Sequence, residues 1–140
     1  PSAALLARVA PARLQARGLT ETRALALRRA AREVALGRVD LASASPEEVE
    51  AGWRRLRRIP GIGAWTLQTM ALCGQGRLDQ LPAGDLGYLK LVGALLGRGR
   101  GRATEEEVQR FFAPYAPWAG LAGLHALYGA GSAAALRLAA

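Results

Sequence analysis

The residues with chemistry to offer are few, and two short segments hold most of them. Leu56-Arg57-Arg58-Ile59-Pro60-Gly61-Ile62-Gly63-Ala64-Trp65-Thr66 sets two glycines in a tight connection between two stretches of helical periodicity. Backbone N–H groups at the start of the second helix, together with its dipole, form a small site suited to a phosphate oxygen. Gly61 and Gly63 let a bulky backbone approach and permit dihedrals that other residues avoid. Thr66, one turn further on, adds a hydroxyl, and Ile59 and Ile62 anchor the connection in a core. Nineteen residues after Thr66, the run Leu81-Pro82-Ala83-Gly84-Asp85-Leu86-Gly87 sets a carboxylate at a helix start. Asp85 has two readings there: a structural N-cap, or an anion kept in the field of the helix dipole for chemistry.

Other chemistries are poorly supplied. Cys73 is alone, which excludes an internal disulfide, a cysteine-rich zinc site and a four-cysteine iron–sulfur cluster. His125 has no second histidine to share a metal with, and the Ser-rich spot from Ser43 to Ser45 sits before a helix start rather than beside any His. Charge points elsewhere: nineteen basic residues against eleven acidic ones give +8, and Lys90 is the one lysine. Such a surplus on a small domain favours a polyanion, most often nucleic acid. A GC-rich coding bias explains arginine in place of lysine, but not the excess of positive over negative charge. The full Leu-x-x-Ile-Pro-Gly-Ile-Gly context on so basic a chain is a helix-hairpin-helix signature, whose phosphate contacts position DNA without reading its sequence.

The elements that must position these groups are helices. A chain of 140 residues, 51% hydrophobic and 21% charged, reads as one soluble domain or a piece of one. No apolar stretch approaches the roughly 18 residues of a membrane span, and Pro1-Ser2-Ala3 lacks the charged start of a signal peptide. The expectation is a chain not associated with a membrane. Periodicity predicts a short helix over 14–17 and a long one over 20–36, capped by Thr20 and stopped by Gly37. Its candidates for burial are Leu25, Leu27, Ala31, Val34 and Ala35. Ser45-Pro46-Glu47-Glu48 starts a helix carrying Val49, Trp53 and Leu56 and ending near Arg58. Further helices are predicted over 64–73, 85–96, from Thr104 onward, 118–128 and 132–138, with an exposed Gly-Arg turn over 97–102 placed near phosphate.

Taken together, the hairpin and Asp85 resemble the helix-hairpin-helix DNA glycosylase superfamily, and within it the 3-methyladenine DNA glycosylase II family. The likeness covers nearly the whole chain: Gly18-Leu19 followed by a basic helix, Ile-Pro-Gly-Ile-Gly-Ala-Trp-Thr ending at Thr66, Leu-Pro-Ala-Gly-Asp-Leu-Gly ending at Gly87, then Tyr115-Ala116-Pro117-Trp118 and His125. It implies an all-α fold, the helical domain of such a glycosylase over 1–140, lacking N-terminal helices. The hairpin falls at about 56–66 and the Asp loop at about 79–87. The implied activity belongs to base excision repair: a damaged nucleotide is flipped out of duplex DNA, and its N-glycosidic bond is hydrolysed to leave an abasic site. The implied partner is double-stranded DNA containing alkylated bases such as 3-methyladenine, and the implied setting is a monomer in the bacterial cytoplasm, associated with the nucleoid.

By matching position, the resemblance makes Asp85 the catalytic carboxylate and Gly61, Gly63 and Thr66 the phosphate-binding residues. Members that also nick the strand carry a lysine where this chain has Trp65, so the implied enzyme is monofunctional. Trp65 either stacks on the flipped base or packs in the core, and Trp118 and Tyr115 are expected in the core or a pocket wall. Trp53 is expected to pack and His125 to be a satisfied core histidine. Leu127 stands where the family often has a pocket aromatic, and Ala119 where it has a basic residue, which implies a roomier pocket and lesions beyond 3-methyladenine. The backbone carbonyls of Arg57, Ile59 and Ile62 match those that bind a monovalent cation, sodium or potassium; no cofactor is required for catalysis. The competing classes are a non-catalytic helix-hairpin-helix DNA-binding module, or an inactive glycosylase fragment, and a helical domain whose basic face binds a protein.

Overall fold

A computed structural model describes the backbone of residues 1–99 and 101–138 and the side chains of residues 1–99 and 101–129. Arg100 of the expected Gly-Arg turn, and the side chains expected on a helix over 132–138, lie outside the described residues. Among the described residues the chain is all-helical, with 62% helix, eight α-helices, one 3-10 turn and no strand. None of these helices is long and apolar enough to cross a membrane. The chain divides into two compact units, Pro1–Leu67 and Gln68–Ala140.

In the first unit, α1 (Ala3–Arg8) and α2 (Pro11–Gln15) both pack on α3 (Glu21–Ala35), and α4 (Pro46–Leu56) follows. Helix α1 was not foreseen; the Ser2 hydroxyl starts it by accepting from the Leu5 N–H at 3.3 Å. The Thr20 hydroxyl caps α3 by accepting from the Arg23 N–H at 3.4 Å. At the other end Gly37, at φ 66°, turns the chain while its N–H and that of Arg38 donate to Val34 and Glu33 carbonyls.

The face that α3 buries differs from expectation. Ala24, Ala26 and Ala31 are buried, whereas Leu25 and Val34 are half-buried and Leu27 and Ala35 are exposed. At Ala26 the reason is close approach: Gly61 of the following connection rests against it, so a small residue rather than a leucine lines that contact. Helix α4 follows its pattern: Ser45 accepts from the Glu48 N–H, Pro46 opens the first turn, and Val49, Gly52, Trp53 and Leu56 are buried at three- and four-residue spacing. Trp53 is thus a packing residue, as expected.

Helix α5 (Ala64–Gly74) begins in the first unit and ends in the second. The second unit then holds α6 (Leu86–Leu95), α7 (Glu105–Phe112), a 3-10 turn (Ala113–Tyr115) and α8 (Ala119–Leu138). Its core is Ala83, Tyr88, Val92, Ala103, Val108 and Phe112, with the rings of Tyr88 and Phe112 edge to face at 6.0 Å. Thr104 and Glu107 cap α7 reciprocally, the hydroxyl accepting from the Glu107 N–H at 3.3 Å and the carboxylate from the Thr104 N–H at 2.8 Å. One continuous α8 replaces the two helices expected over 118–128 and 132–138. A glycine in a helix interior costs only about 1 kcal/mol against alanine, and the alanine- and leucine-rich sequence around it favours continuation.

Candidate functional site

Residues 57–63 close α4 onto α5 through short local bonds. The Ile59 N–H donates to Leu56 at 2.9 Å, the Ile62 N–H to Ile59 at 3.0 Å, and the Leu67 N–H to Gly63 at 3.3 Å, which opens α5. Ile59 is buried and Ile62 half-buried, so both anchor the hairpin as expected. The glycines have separate tasks. Gly61 sits at φ 91°, and a Cβ there would lie 3.2 Å from Thr22 Cγ2 and 3.5 Å from Ala26 Cβ. It therefore answers both to its dihedral and to the approach of α3. Gly63 is not in the left-handed region, and a Cβ there would meet nothing within 4 Å, so it leaves its side of the hairpin open.

Pro60, Gly61, Gly63, Ala64 and Trp65 are exposed along this edge, Thr66 is half-buried, and Arg57 and Arg58 are exposed beside it. Trp65, at 48% exposure, lies on the surface and is not the core residue of its alternative reading. The first-turn N–H groups of α5 belong to the set a helix cannot pair internally. For the cation expected on Arg57, Ile59 and Ile62, the relevant donors are neutral carbonyl oxygens. The Ile59 carbonyl accepts from Ile62, and a carbonyl has a second lone pair for an ion. Among the described residues no group of His, Cys, Asp or Glu could hold a metal ion.

In the second unit Asp85 is the N-cap of α6, and its Oδ1 accepts from the Gly87 N–H at 2.8 Å. Its own N–H donates to Pro82 at 2.8 Å, in a turn where Pro82 and Ala83 are buried and the carboxylate is half-buried. Leu127 comes to the same place: a Cβ built on Gly87 would lie 3.0 Å from Asp85 Oδ1 and 3.3 Å from Leu127 Cδ2. Beneath, Tyr88 is buried, and among the described residues its hydroxyl has no hydrogen-bond partner. Burial, and then the charge of Asp85, push the Tyr88 hydroxyl up to about 12.

Sequence reasoning passed over the glycines that seat this loop. A Cβ on Gly120 would stand 2.3 Å from the Gln80 carbonyl oxygen, and one on Gly123 2.7 Å from Leu81 and 2.9 Å from Tyr88. The Leu121 N–H donates to Leu78 at 3.2 Å, so the start of α8 holds the Asp loop through backbone as well as packing. The signal was the Gly-x-x-Gly spacing in the run Ala119-Gly120-Leu121-Ala122-Gly123.

A groove of about 400 Å³ in the second unit is lined by Tyr115, Trp118, Leu121, Ala122 and His125, among others. Tyr115 and Trp118 are wall residues here and more than half exposed. His125 is exposed, which corrects the expectation of a core histidine: α8 turns it outward to the groove rather than toward Tyr88 and Phe112. The expected site residues thus fall into two sets. Arg57, Ile59, Gly61, Ile62, Gly63, Trp65 and Thr66 stand together in the first unit, and Asp85 and Leu127 in the second.

No protein-family model matches the chain, and no curated protein matches its sequence.

Proposed function

We propose that the chain is the helical part of a monofunctional DNA glycosylase of base excision repair, acting on alkylated bases such as 3-methyladenine. The hairpin grips the phosphates of duplex DNA through the α5 amides, with Thr66 adding a hydroxyl contact. The flipped nucleotide brings a base that is already cationic and leaves readily, so the barrier lies in the positive charge growing on the sugar. The Asp85 carboxylate stabilises that oxocarbenium-like charge by fixed electrostatics and orients the water that adds to the sugar carbon. The carbon–nitrogen bond breaks, a carbon–oxygen bond forms, the water gives up a proton, and an abasic site on an intact strand results. A Schiff-base step has no suitable amine, because the one lysine, Lys90, is exposed on α6 and Trp65 occupies the hairpin position where strand-nicking members carry lysine.

Trp65 is the stacking candidate for the flipped base, and Leu127 widens the pocket toward lesions beyond 3-methyladenine. Sodium or potassium on the carbonyls of Arg57, Ile59 and Ile62 would bridge the hairpin to phosphate. The observation that carries the catalytic reading is the half-exposed Asp85 carboxylate at the start of α6, with Leu127 beside it. That same N-cap bond also favours a second reading, a non-catalytic DNA-binding module in which Asp85 only starts its helix. Base release from methylated duplex, wild type beside Asp85→Asn, separates the two when DNA affinity is measured for both. Release lost in the variant with binding kept supports the glycosylase. No release from either, with binding intact, supports the module.

A further inference from the structure

The arginines of the first unit are not scattered. Arg28, Arg29 and Arg32 share one face of α3 at three- and four-residue spacing, and with Arg8 at the end of α1 they line a groove of about 410 Å³. A second groove, of about 270 Å³, adjoins it through the shared Arg29 and Arg32 and reaches Arg58 and Ile59 of the hairpin. Like charges at these spacings repel and destabilise a helix, so this face is costly to the fold unless something anionic meets it.

The chain supplies little of that anion itself. Glu33 is the acid in the second groove, and it is engaged by Arg55 and by Arg38 at 3.5 Å. Among the described residues the side chains of Arg29, Arg32 and Arg58 have no ion pair and no hydrogen bond, and all three are exposed. The face is also continuous with the hairpin, because Gly61 rests against Thr22 and Ala26 of α3. From Ala26 to Arg32 the helix rises about 9 Å, and one DNA strand passes a phosphate about every 3.4 Å of duplex axis. Phosphates lie about twice that far apart along the strand itself, so about two fit alongside.

We propose that Arg29, Arg32 and Arg58 form a second phosphate-binding track, which carries one DNA strand from the hairpin along α3. The track rests on the DNA-binding reading and extends it by specifying which strand path the first unit follows. Its contacts go to phosphate, so it is indifferent to sequence and to damage.

The test is the salt dependence of binding to an undamaged duplex. Each phosphate contact contributes a slope of about −0.9 to log K against log salt. R29Q/R32Q is expected to flatten the slope by about 1.8 and to weaken binding more than about tenfold near 0.1 M salt. R29K/R32K, which keeps the charge, should retain most of the slope. R13Q/R17Q, which removes equal charge from exposed positions off the track, should leave it nearly unchanged. Equal flattening by R29Q/R32Q and R13Q/R17Q, or none by R29Q/R32Q beside a salt-sensitive wild type, overturns the track and leaves DNA binding standing. A wild type with no salt-sensitive binding overturns both. Helix content by circular dichroism accompanies each variant, and R58Q, with an expected change of about 0.9, decides the matter if the α3 double variant does not fold.

Discussion

The two units use the same residue types for opposite ends. Pro1–Leu67 carries twelve arginines against six acids, while Gln68–Ala140 carries six arginines and one lysine against five acids. Three-quarters of the net charge thus sits in the unit with the hairpin, and the unit with Asp85 is nearly balanced. Close-packed glycine divides the units too. Gly18, Gly37 and Gly63 of the first unit face open space, whereas Gly93, Gly120 and Gly123 of the second would each drive a Cβ to within 3.0 Å of a neighbour. Both units spend glycine on open turns, Gly18 and Gly37 in the first and Gly76, Gly97 and Gly99 in the second, but among the described residues the contacts under 3.0 Å all fall in the second. One is built as a surface and the other around a seated loop.

The sharpest way to break that contrast is to exchange the consequences of substitution between units. Asp85→Asn should reduce base release by at least about a hundredfold, the scale of a preorganised electrostatic contact, and leave the salt-sensitive affinity of the first unit intact. Loss of binding together with release would show that the division of labour is wrong.

Next in size are the glycines. Gly93→Ala sets a Cβ 2.3 Å from the Gly101 carbonyl oxygen and 2.9 Å from the Ala103 nitrogen, where backbone must move. Overpacking of this kind costs about 3 kcal/mol, measured as a fall in urea midpoint at unchanged m-value. Gly63→Ala meets nothing, so its stability should change by less than about 0.5 kcal/mol while DNA affinity falls several-fold.

Capping gives a smaller difference. Thr104→Ala removes the hydroxyl half of the capping box, leaves the Glu107 carboxylate on the backbone N–H of residue 104, and should cost about 1 kcal/mol. Thr20→Ala removes a single bond of nearly the same length, 3.4 Å, and should cost a similar amount. Thermal unfolding of the two variants compares them directly.

Near neutral pH the smallest effects belong to the titrating groups, which show themselves only toward acid and alkali. The side-chain hydrogen bond from Arg55 holds the Glu33 carboxyl below its ordinary 4.5, and that from Arg98 does the same for Glu107. A depressed carboxylate adds stability that is present above pH 4.5 and lost as pH falls through the folded-state value. Glu33→Gln and Glu107→Gln should each flatten that acid limb. Tyr88 runs the other way. Its hydroxyl is raised from 10 to about 12, so its contribution is complete below pH 10 and is lost as pH rises toward 12. Tyr88→Phe should abolish that alkaline loss, and at neutral pH it should be neutral or mildly stabilising, since the buried hydroxyl it removes lacks a partner among the described residues.

What could be read from the residues was what depends on near neighbours. Thr20, Ser45 and Thr104 announce helix starts, and Leu56 through Thr66 announces the hairpin, because caps and tight turns are settled within four or five positions. Asp85 was legible as a helix start for the same reason. Illegible were features set by what lies opposite. The burial of Ala26 on α3 depends on the approach of Gly61, the outward turn of His125 on the rotation of α8, and the value of Gly120 and Gly123 on a loop forty residues earlier. The arginine grooves belong with these, since spacing alone gives a charged face but not the arginine of α1 that borders it.

The arginine face of α3 also decides how its occupancy can be controlled. Guanidinium groups stay protonated at any pH a folded chain survives, and they offer no amine for acetylation. A lysine face would fade in alkali and could be erased by acylation, one residue at a time. This one answers to neither. If the face carries DNA as proposed, competition from ionic strength and from other anions is the main control left on how long it is held.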